Sequence, residues 1–195
     1  MTDGSGIFSG PVIALVVSSA GGVETIREEF VQPAVGKGWT IAITTTPTAG
    51  RWLDDLDERP RLEHLTGLPV RTGPRLPGEA SPHPRADCVV VAPASANTVA
   101  KLALGIADNQ ALTVAGEAIG DTGLPVVVFP RINAAHARHP AWAGHVAALE
   151  SVGVRLVQGE DIWPLHEPRA APPGRRLPWP HIIELVDTLV TPRDA

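Results

Sequence analysis

Apolar residues in this chain follow two alternating patterns. Short runs rich in β-branched residues, typical of strands buried on both faces, occur at 12–17, 40–44, 88–92, 124–129 and 154–157. Between these runs, apolar residues recur at helical spacing, as in segments 23–31, 99–106, 141–152 and 181–190. Because strands and helices alternate, we predict one α/β domain whose parallel sheet is covered by helices on both faces. A short strand near Val70 would make the sheet roughly six-stranded, with the strand at 88–92 beside the first.

Small and polar residues follow three of these strands. They form the turns 18–22, 45–50 and 93–98. The carboxyl ends of parallel strands meet at one edge of a sheet, where open α/β proteins bind their ligands. Free N–H groups at the start of the following helix would bind an anion such as phosphate. The alternatives are a plain β–α turn after the first strand and, favoured by the residues alone, a threonine-capped helix start after the second.

Composition is that of an ordinary, mildly acidic globular protein. The 195 residues carry a net charge of −5, so we predict no nucleic-acid partner. No apolar run approaches membrane-spanning length and no secretory leader is recognised, so we predict a cytoplasmic protein with no membrane partner. The lone cysteine, Cys88, lies in a predicted buried strand and excludes an intramolecular disulfide. We predict no metal site.

Proline and glycine mark the irregular parts of the chain. Of the 20 prolines and 19 glycines, many cluster between Pro69 and Pro84 and between Pro164 and Pro180. We therefore predict a flexible N-terminus over 1–10, one domain over 11–190 that includes a lid- or clamp-like loop at 158–180, and a tail over 191–195.

The segment PASANT (93–98), followed by KLALGIADN (101–109), resembles the flavin-binding motif of a known family. This family is the homo-oligomeric, flavin-containing cysteine decarboxylases, which include phosphopantothenoylcysteine decarboxylase and enzymes that modify the C-terminal cysteine of lantibiotic peptides. The resemblance extends from about Val12 to about Val186. It implies a Rossmann-like (flavodoxin-like) domain, FMN as cofactor, and a homo-oligomer of trimers or multiples of trimers.

Cofactor contacts are implied at the positions that match the motifs of the family. In the family, a serine in the turn after the first strand contacts the FMN phosphate, and Ser19 matches this serine. A second residue that contacts the phosphate matches Thr46, six residues before Trp52. The turn that holds the flavin ring and ribityl chain matches the start of PASANT. The resemblance therefore implies FMN contacts at Ser18, Ser19, Thr46, Ala94, Ser95, Asn97 and Thr98.

The expected catalytic residues lie where this chain departs from the family. The family motif Pro-x-Met-Asn-x-x-Met-Trp is here PRINAAHA (130–137), which keeps Asn133 and lacks both methionines and the tryptophan. The family also has an active-site histidine before the PASANT strand, for which His83 is the candidate, about one helical turn closer than expected. We expect Asn133 to donate to the substrate carboxylate or a neighbouring amide, and His83 to act as general base or thiolate stabiliser.

Three further residues are expected to bind substrate. Arg131 would bind an anionic end of the substrate, and a solvent-facing arginine is the alternative. Arg131 together with His136 also resembles the Pro-Arg-x-x-x-x-His segment of the flavin prenyltransferases, whose residues attend a prenyl phosphate. Arg175 lies in GRRL (174–177), which resembles the end of the substrate-clamp loop in the decarboxylases.

The resemblance implies an FMN-dependent lyase that oxidatively decarboxylates a cysteinyl substrate, either a C-terminal peptide cysteine or a compound like phosphopantothenoylcysteine. The product should remain an enethiol, because segment 167–173 lacks the cysteine with which the coenzyme A pathway enzymes reduce it. One alternative is a flavin prenyltransferase-like enzyme. Another is an FMN-binding protein that has lost catalysis and serves as a regulatory or structural subunit.

Overall fold

A five-stranded parallel sheet is the centre of this protein. The computed structural model describes residues 10–190. The strands are β1 (Val12–Val17), β2 (Thr40–Thr45), β3 (Cys88–Ala94), β4 (Val126–Pro130) and β5 (Arg155–Leu156). Their order is β2-β1-β3-β4-β5, so β3 lies beside β1 as predicted. The predicted N-terminal segment 1–10, except Gly10, and the tail 191–195 lie outside the described residues.

The segment near Val70 does not form the sixth strand that we predicted. It makes a single parallel bridge, between Thr44 and Arg71, beside the edge strand β2. Arg71 N donates to Ile43 O at 2.9 Å and Thr45 N donates to Arg71 O at 2.7 Å. Pro69 and Pro74 on either side have no N–H groups, so the pairing cannot extend in the usual ladder.

Helices cover both faces of the sheet. They are α1 (Gln32–Gly36), α2 (Pro47–Asp55), α3 (Glu58–Thr66), α4 (Ala96–Ala103), α5 (Gln110–Gly120), α6 (Ala134–Ala137), α7 (Trp142–Ser151) and α8 (Trp179–Leu189). A 3-10 turn over Val23–Thr25 and a π-helical turn over Arg27–Val31 lead into α1. No helix among residues 10–190 combines the length and apolar character needed to cross a membrane.

The core consists of two apolar clusters separated by the sheet. Alternate residues of β1 point to opposite faces, so Ile13 and Leu15 belong to one cluster while Val16 belongs to the other. Every residue of β3 is buried, as its continuous apolar run predicts, and Cys88 at its start is fully buried.

The order of strands creates a candidate ligand edge at the carboxyl ends of β1 and its two neighbours. The chain passes from β1 to β2 on one side and later returns to β3 on the other side. A crevice opens in parallel sheets where the direction of winding reverses. Here the turns after β1, β2 and β3 border this position.

Candidate functional site

The turns after β1 and β3 are joined through one buried serine. Ser18 Oγ donates to Pro93 O at 2.9 Å and accepts from Ser95 N at 2.8 Å. Ser18 is 1% exposed, so its hydroxyl supports the edge from inside. The next residue, Ser19, is partly exposed, and its side chain has no hydrogen-bond partner among residues 10–190. Of the two predicted serines, Ser19 is therefore the one available to a ligand.

Three predicted site residues, Thr46, Ser95 and Asn133, also begin helices. Thr46 Oγ1 accepts from Ala49 N at 3.4 Å and caps α2, as the alternative for this turn predicted. Ser95 Oγ accepts from Thr98 N at 3.2 Å and caps α4. Capping uses an acceptor, so the Thr46 hydroxyl proton is still available to a ligand.

Asn133 begins the short helix α6 beyond the end of β4. Its Oδ1 accepts from His136 N at 3.0 Å, which fixes the orientation of the side chain. The Asn133 amide nitrogen has no protein partner within the described part of the chain. Two N–H donors are therefore free at the end of β4, beside the proposed ligand edge.

The four predicted residues of the PASANT turn do not all face outwards. Ala94 is 0% and Thr98 is 2% exposed, whereas Asn97 is exposed and Ser95 is partly exposed. Thr98 Oγ1 lies 3.0 Å from Ser95 Oγ, and Ala94 O accepts from Arg131 N at 2.8 Å. Ala94 and Thr98 are thus buried and support the turn, while Ser95 and Asn97 are exposed enough to contact a ligand, and flavin contacts at all four positions stay a prediction.

Two of the three predicted substrate residues come together. The guanidinium carbons of Arg131 and Arg175 lie 5.0 and 3.2 Å from the ring centroid of Trp163. Sequence reasoning did not select Trp163, although a tryptophan in a proline-rich loop is a signal for a buried anchor. His136 is exposed on α6, and its ring makes no described contact.

His83 lies in a different cavity from the strand-end turns. Its Nε2 is 2.8 Å from Pro69 O. This cavity has a volume of about 650 Å³. It lies between α5, the loop 74–86 and one face of the sheet, where small residues such as Ala14 and Ala42 line it. None of the predicted cofactor or substrate residues lines this cavity. Burial lowers the pKa of His83, as does the nearby charge of Arg71, although the contact with Pro69 O opposes this. Within one chain the structure therefore does not bring His83 to Asn133, and its catalytic role stays a prediction.

The proline-rich segment 158–180 reaches the first turn. A Cβ atom on Gly22 would lie 2.0 Å from Leu177 Cδ1, so the leucine side chain packs directly against the glycine. Gly22 has a φ of 106°, which favours glycine. The loop that we predicted to act as a lid thus contacts the β1 turn at a position where only glycine fits.

Curated proteins that this chain resembles align over part of its length. A bifunctional coenzyme A biosynthesis protein, CoaBC, from Thermococcus kodakarensis is 34% identical over 74 residues, covering 38% of this chain and 18% of that protein. A probable phosphopantothenoylcysteine decarboxylase from Arabidopsis thaliana is 38% identical over 72 residues, covering 37% and 35%. The chain thus spans well under two thirds of the length of these relatives.

Solved structures resemble the chain over most of the domain. The FMN-dependent cysteine decarboxylase TvaF of thioviridamide biosynthesis is 25% identical with a TM-score of 0.61, over 77% of this chain and 91% of that one. The FMN-binding protein AtHal3 is 20% identical with a TM-score of 0.61, over 91% and 95%, a likeness that shows the fold. The model of the family described as Flavoprotein matches residues 37–191, which is more than half of the chain. The chain therefore belongs to the flavoprotein family.

Proposed function

We propose that this protein binds FMN at the edge around β1 and oxidatively decarboxylates a cysteinyl substrate to an enethiol. The observation that carries the proposal is the set of accessible polar residues where the strand order reverses: Ser19, Thr46, Ser95 and Asn97. Membership of the flavoprotein family supports the cofactor, and the cysteine decarboxylases among the similar proteins support the reaction.

The residues at this edge fit a phosphorylated flavin. The free Ser19 hydroxyl and the Thr46 hydroxyl border the β1–β2 side, where they would bind the phosphate. Gly21 has no atom closer than 3.7 Å to the place of a Cβ, so a ligand can approach the backbone of this turn. Ser95 and Asn97 would contact the ring and its chain on the β3 side.

Asn133 is the proposed binding residue for the reacting end of the substrate. Its two free N–H donors would hold the cysteine carboxylate before cleavage or the neighbouring amide, and so fix the bond that breaks. FMN held by Ser19, Thr46, Ser95 and Asn97 would supply the two-electron oxidation of the cysteine end that allows its carboxylate to leave as CO2. The single cysteine of the chain, Cys88, is buried in β3, so no protein thiol lies in the loop to reduce the enethiol.

The first test is the colour of the purified protein and its reaction with cysteinyl substrates. We expect a yellow protein, or one that becomes yellow with added FMN, and we expect cysteine-terminated peptides or phosphopantothenoylcysteine to lose CO2 and two hydrogens in air, as measured by mass spectrometry. A colourless protein that cannot be reconstituted would contradict the cofactor proposal. A yellow protein without turnover would indicate a binding protein, and transfer from dimethylallyl phosphate to reduced flavin would indicate a prenyltransferase.

The second test examines Asn133 and His83 in the same assay. Asn133→Asp keeps the helix cap but removes the amide donors and adds negative charge, so turnover should fall by about 10²-fold or more. His83→Asn removes the predicted general base or thiolate stabiliser, so turnover should fall in this variant as well. Equal thermal unfolding midpoints establish that both variants fold. Full activity of either variant would contradict the role proposed for that residue.

A homo-oligomer and a cytoplasmic location also belong to this proposal. Exposed apolar side chains support an association surface: Trp52, Leu104 and Ile106 are 41%, 64% and 43% exposed. Light scattering of the purified protein tests whether it forms trimers or multiples of trimers.

A further inference from the structure

Two arginines from distant parts of the chain meet on one buried indole. Arg131 follows β4, Arg175 lies in the loop before α8, and Trp163 lies in the loop after β5. Trp163 is 4% exposed and is held edge-on by Phe129, with ring centroids 5.4 Å apart. Both guanidinium groups lie within cation–π distance of this ring. The indole therefore brings two positive charges together.

No carboxylate of the described residues lies close enough to form an ion pair with either of these arginines. Among residues 10–190, neither Arg131 nor Arg175 has an acidic oxygen within 4.0 Å, whereas the nearby Arg138 forms a two-pronged ion pair with Glu167. Burial lowers the pKa of both guanidinium groups, and the charge of Arg131 lowers the pKa of Arg175 further. Glu24 and Glu160 act on them only from a longer distance. Both arginines stay charged at neutral pH, so the pair carries an uncompensated positive charge.

The donors of this pair are only partly used. Arg131 Nε is buried without a hydrogen-bond partner among the described residues. The Arg175 guanidinium donates once, to Pro164 O. Stacking on an indole uses the face of a guanidinium group and leaves its in-plane N–H donors free for a carboxylate or phosphate.

The position of the pair points to the substrate side of the edge. Arg131 Nη2 lies 3.7 Å from the place of a Cβ on Gly21, so it reaches the turn after β1. The residues proposed for the FMN phosphate, Ser19 and Thr46, lie on the β1–β2 side, whereas Arg131 enters from β4, beyond β3. A cavity of about 190 Å³ adjoins Trp163 and is lined largely by apolar groups, including Ile132 and Trp142.

We propose that Arg131 and Arg175 together bind an anionic group of the substrate, a phosphate or a carboxylate, beside the β1 turn. The assignment of this anion to the substrate rests on the proposed function, while the anion site itself depends only on the two arginines. The charge pair thereby selects substrates that carry a negative group in addition to the reacting cysteine.

The test measures anion binding directly. FMN-reconstituted protein is dialysed to equilibrium against radiolabelled inorganic phosphate, with acetate as a competitor. We expect saturable binding of phosphate to the wild type, weakened by about tenfold or more in Arg131→Met and in Arg175→Gln, since each removes charge-assisted hydrogen bonds. The matched control is Arg176→Gln, the neighbouring arginine, whose side chain is 85% exposed and which should bind phosphate like the wild type.

Other results would overturn the proposal. One is an unchanged phosphate affinity in both variants, with thermal unfolding to verify their fold. If Arg131→Met does not fold, Arg175→Gln in the loop decides alone. Another is a variant that binds FMN more weakly than the wild type but binds riboflavin equally well. The two arginines would then bind the phosphate of the cofactor and not a group of the substrate. If the wild type does not retain FMN, the same dialysis is done on flavin-free protein. Failure of the proposed function can thus be distinguished from failure of the anion site.

Discussion

At the scale of single residues, polar side chains of the proposed ligand edge also stabilise the helices that begin there. Thr46, Ser95 and Asn133 each give an acceptor to the start of a helix. This capping fixes each side chain in one orientation before any ligand arrives. Preorganised donors lose less free energy to ordering on binding than flexible ones.

The first prediction at this scale concerns Gly22. Gly22→Ala should lower the free energy of unfolding by about 2 kcal/mol or more, because alanine is strained at positive φ and its Cβ would overlap Leu177. Chemical denaturation measures the change. The matched control is Gly21→Ala, where the nearest atom is 3.7 Å away, so its stability should stay within about 0.5 kcal/mol of the wild type. An equal decrease in the free energy of unfolding in the two variants would contradict the special requirement for glycine at position 22.

The sequence identifies the residue types of this site better than their orientations. The turn pattern predicts hydroxyls at Ser18 and Ser19, but only the packing of β1 against β3 shows that Ser18 turns inwards to Pro93. The meeting of Arg131, Trp163 and Arg175 depends on the path of a loop over residues 157–178. Contacts between such distant residues leave no local periodicity from which they could be predicted.

At the scale of elements, strands and helices were predictable where apolar patterns are long and continuous. β1 has the predicted bounds, and β3 continues two residues beyond its predicted end. The helix after β1 continues to Gly36, past the predicted segment 23–31, because Pro33 is tolerated in the first turn of α1 after the π-helical turn. At Val70 a β-branched residue favours a strand, but the prolines nearby prevent a regular ladder.

The ion cluster that joins α3 to the π-helical turn gives a prediction on pH. Glu58 is largely buried and accepts from Arg27 at 2.6 Å and from Arg61 at 2.8 Å. Burial alone would raise the pKa of Glu58, but these two arginines reverse the effect, and the pKa lies below its ordinary value. A carboxyl group whose pKa is lowered by folding stabilises the protein above its unfolded pKa and loses this contribution as pH falls through the folded value.

Glu58→Gln should therefore lower the free energy of unfolding by about 1–3 kcal/mol at pH 7. The difference from the wild type should shrink as the pH falls into and below the ordinary carboxyl range. Urea denaturation at several pH values provides the measurement, with Glu184→Gln on the exposed face of α8 as the control. A difference that is constant with pH would contradict the role of the Glu58 charge.

At the scale of the whole molecule, the loop over 158–180 is part of the core. Trp163, Leu177 and Trp179 belong to the same apolar cluster as alternate residues of β1. Trp179 also packs against Phe30, with ring centroids 5.4 Å apart. The loop is thus anchored at both ends of its path, while its middle, 167–174, is exposed. The ion pair between Arg138 and Glu167 adds a contact within this exposed part.

Leu177→Ala should release this loop from the β1 turn. The variant loses a buried side chain that contacts Gly22, so trypsin should cleave after Arg175 or Arg176 several-fold faster than in the wild type. Mass spectrometry of the fragments identifies the cleavage site. The matched control is Leu76→Ala, since Leu76 also follows an arginine but is 69% exposed, and cleavage there should not change. An unchanged rate at Arg175 and Arg176 would show that Leu177 does not anchor the loop.

The single cysteine of the chain has a practical consequence for the proposed chemistry. Cys88 is fully buried, and burial, together with the charge of Asp87, raises the pKa of its thiol to about 12. Alkylating reagents attack thiolates, so the folded protein should resist iodoacetamide at neutral pH. Such a reagent can be added after reaction to capture an enethiol product as a stable thioether, without labelling the enzyme that made it.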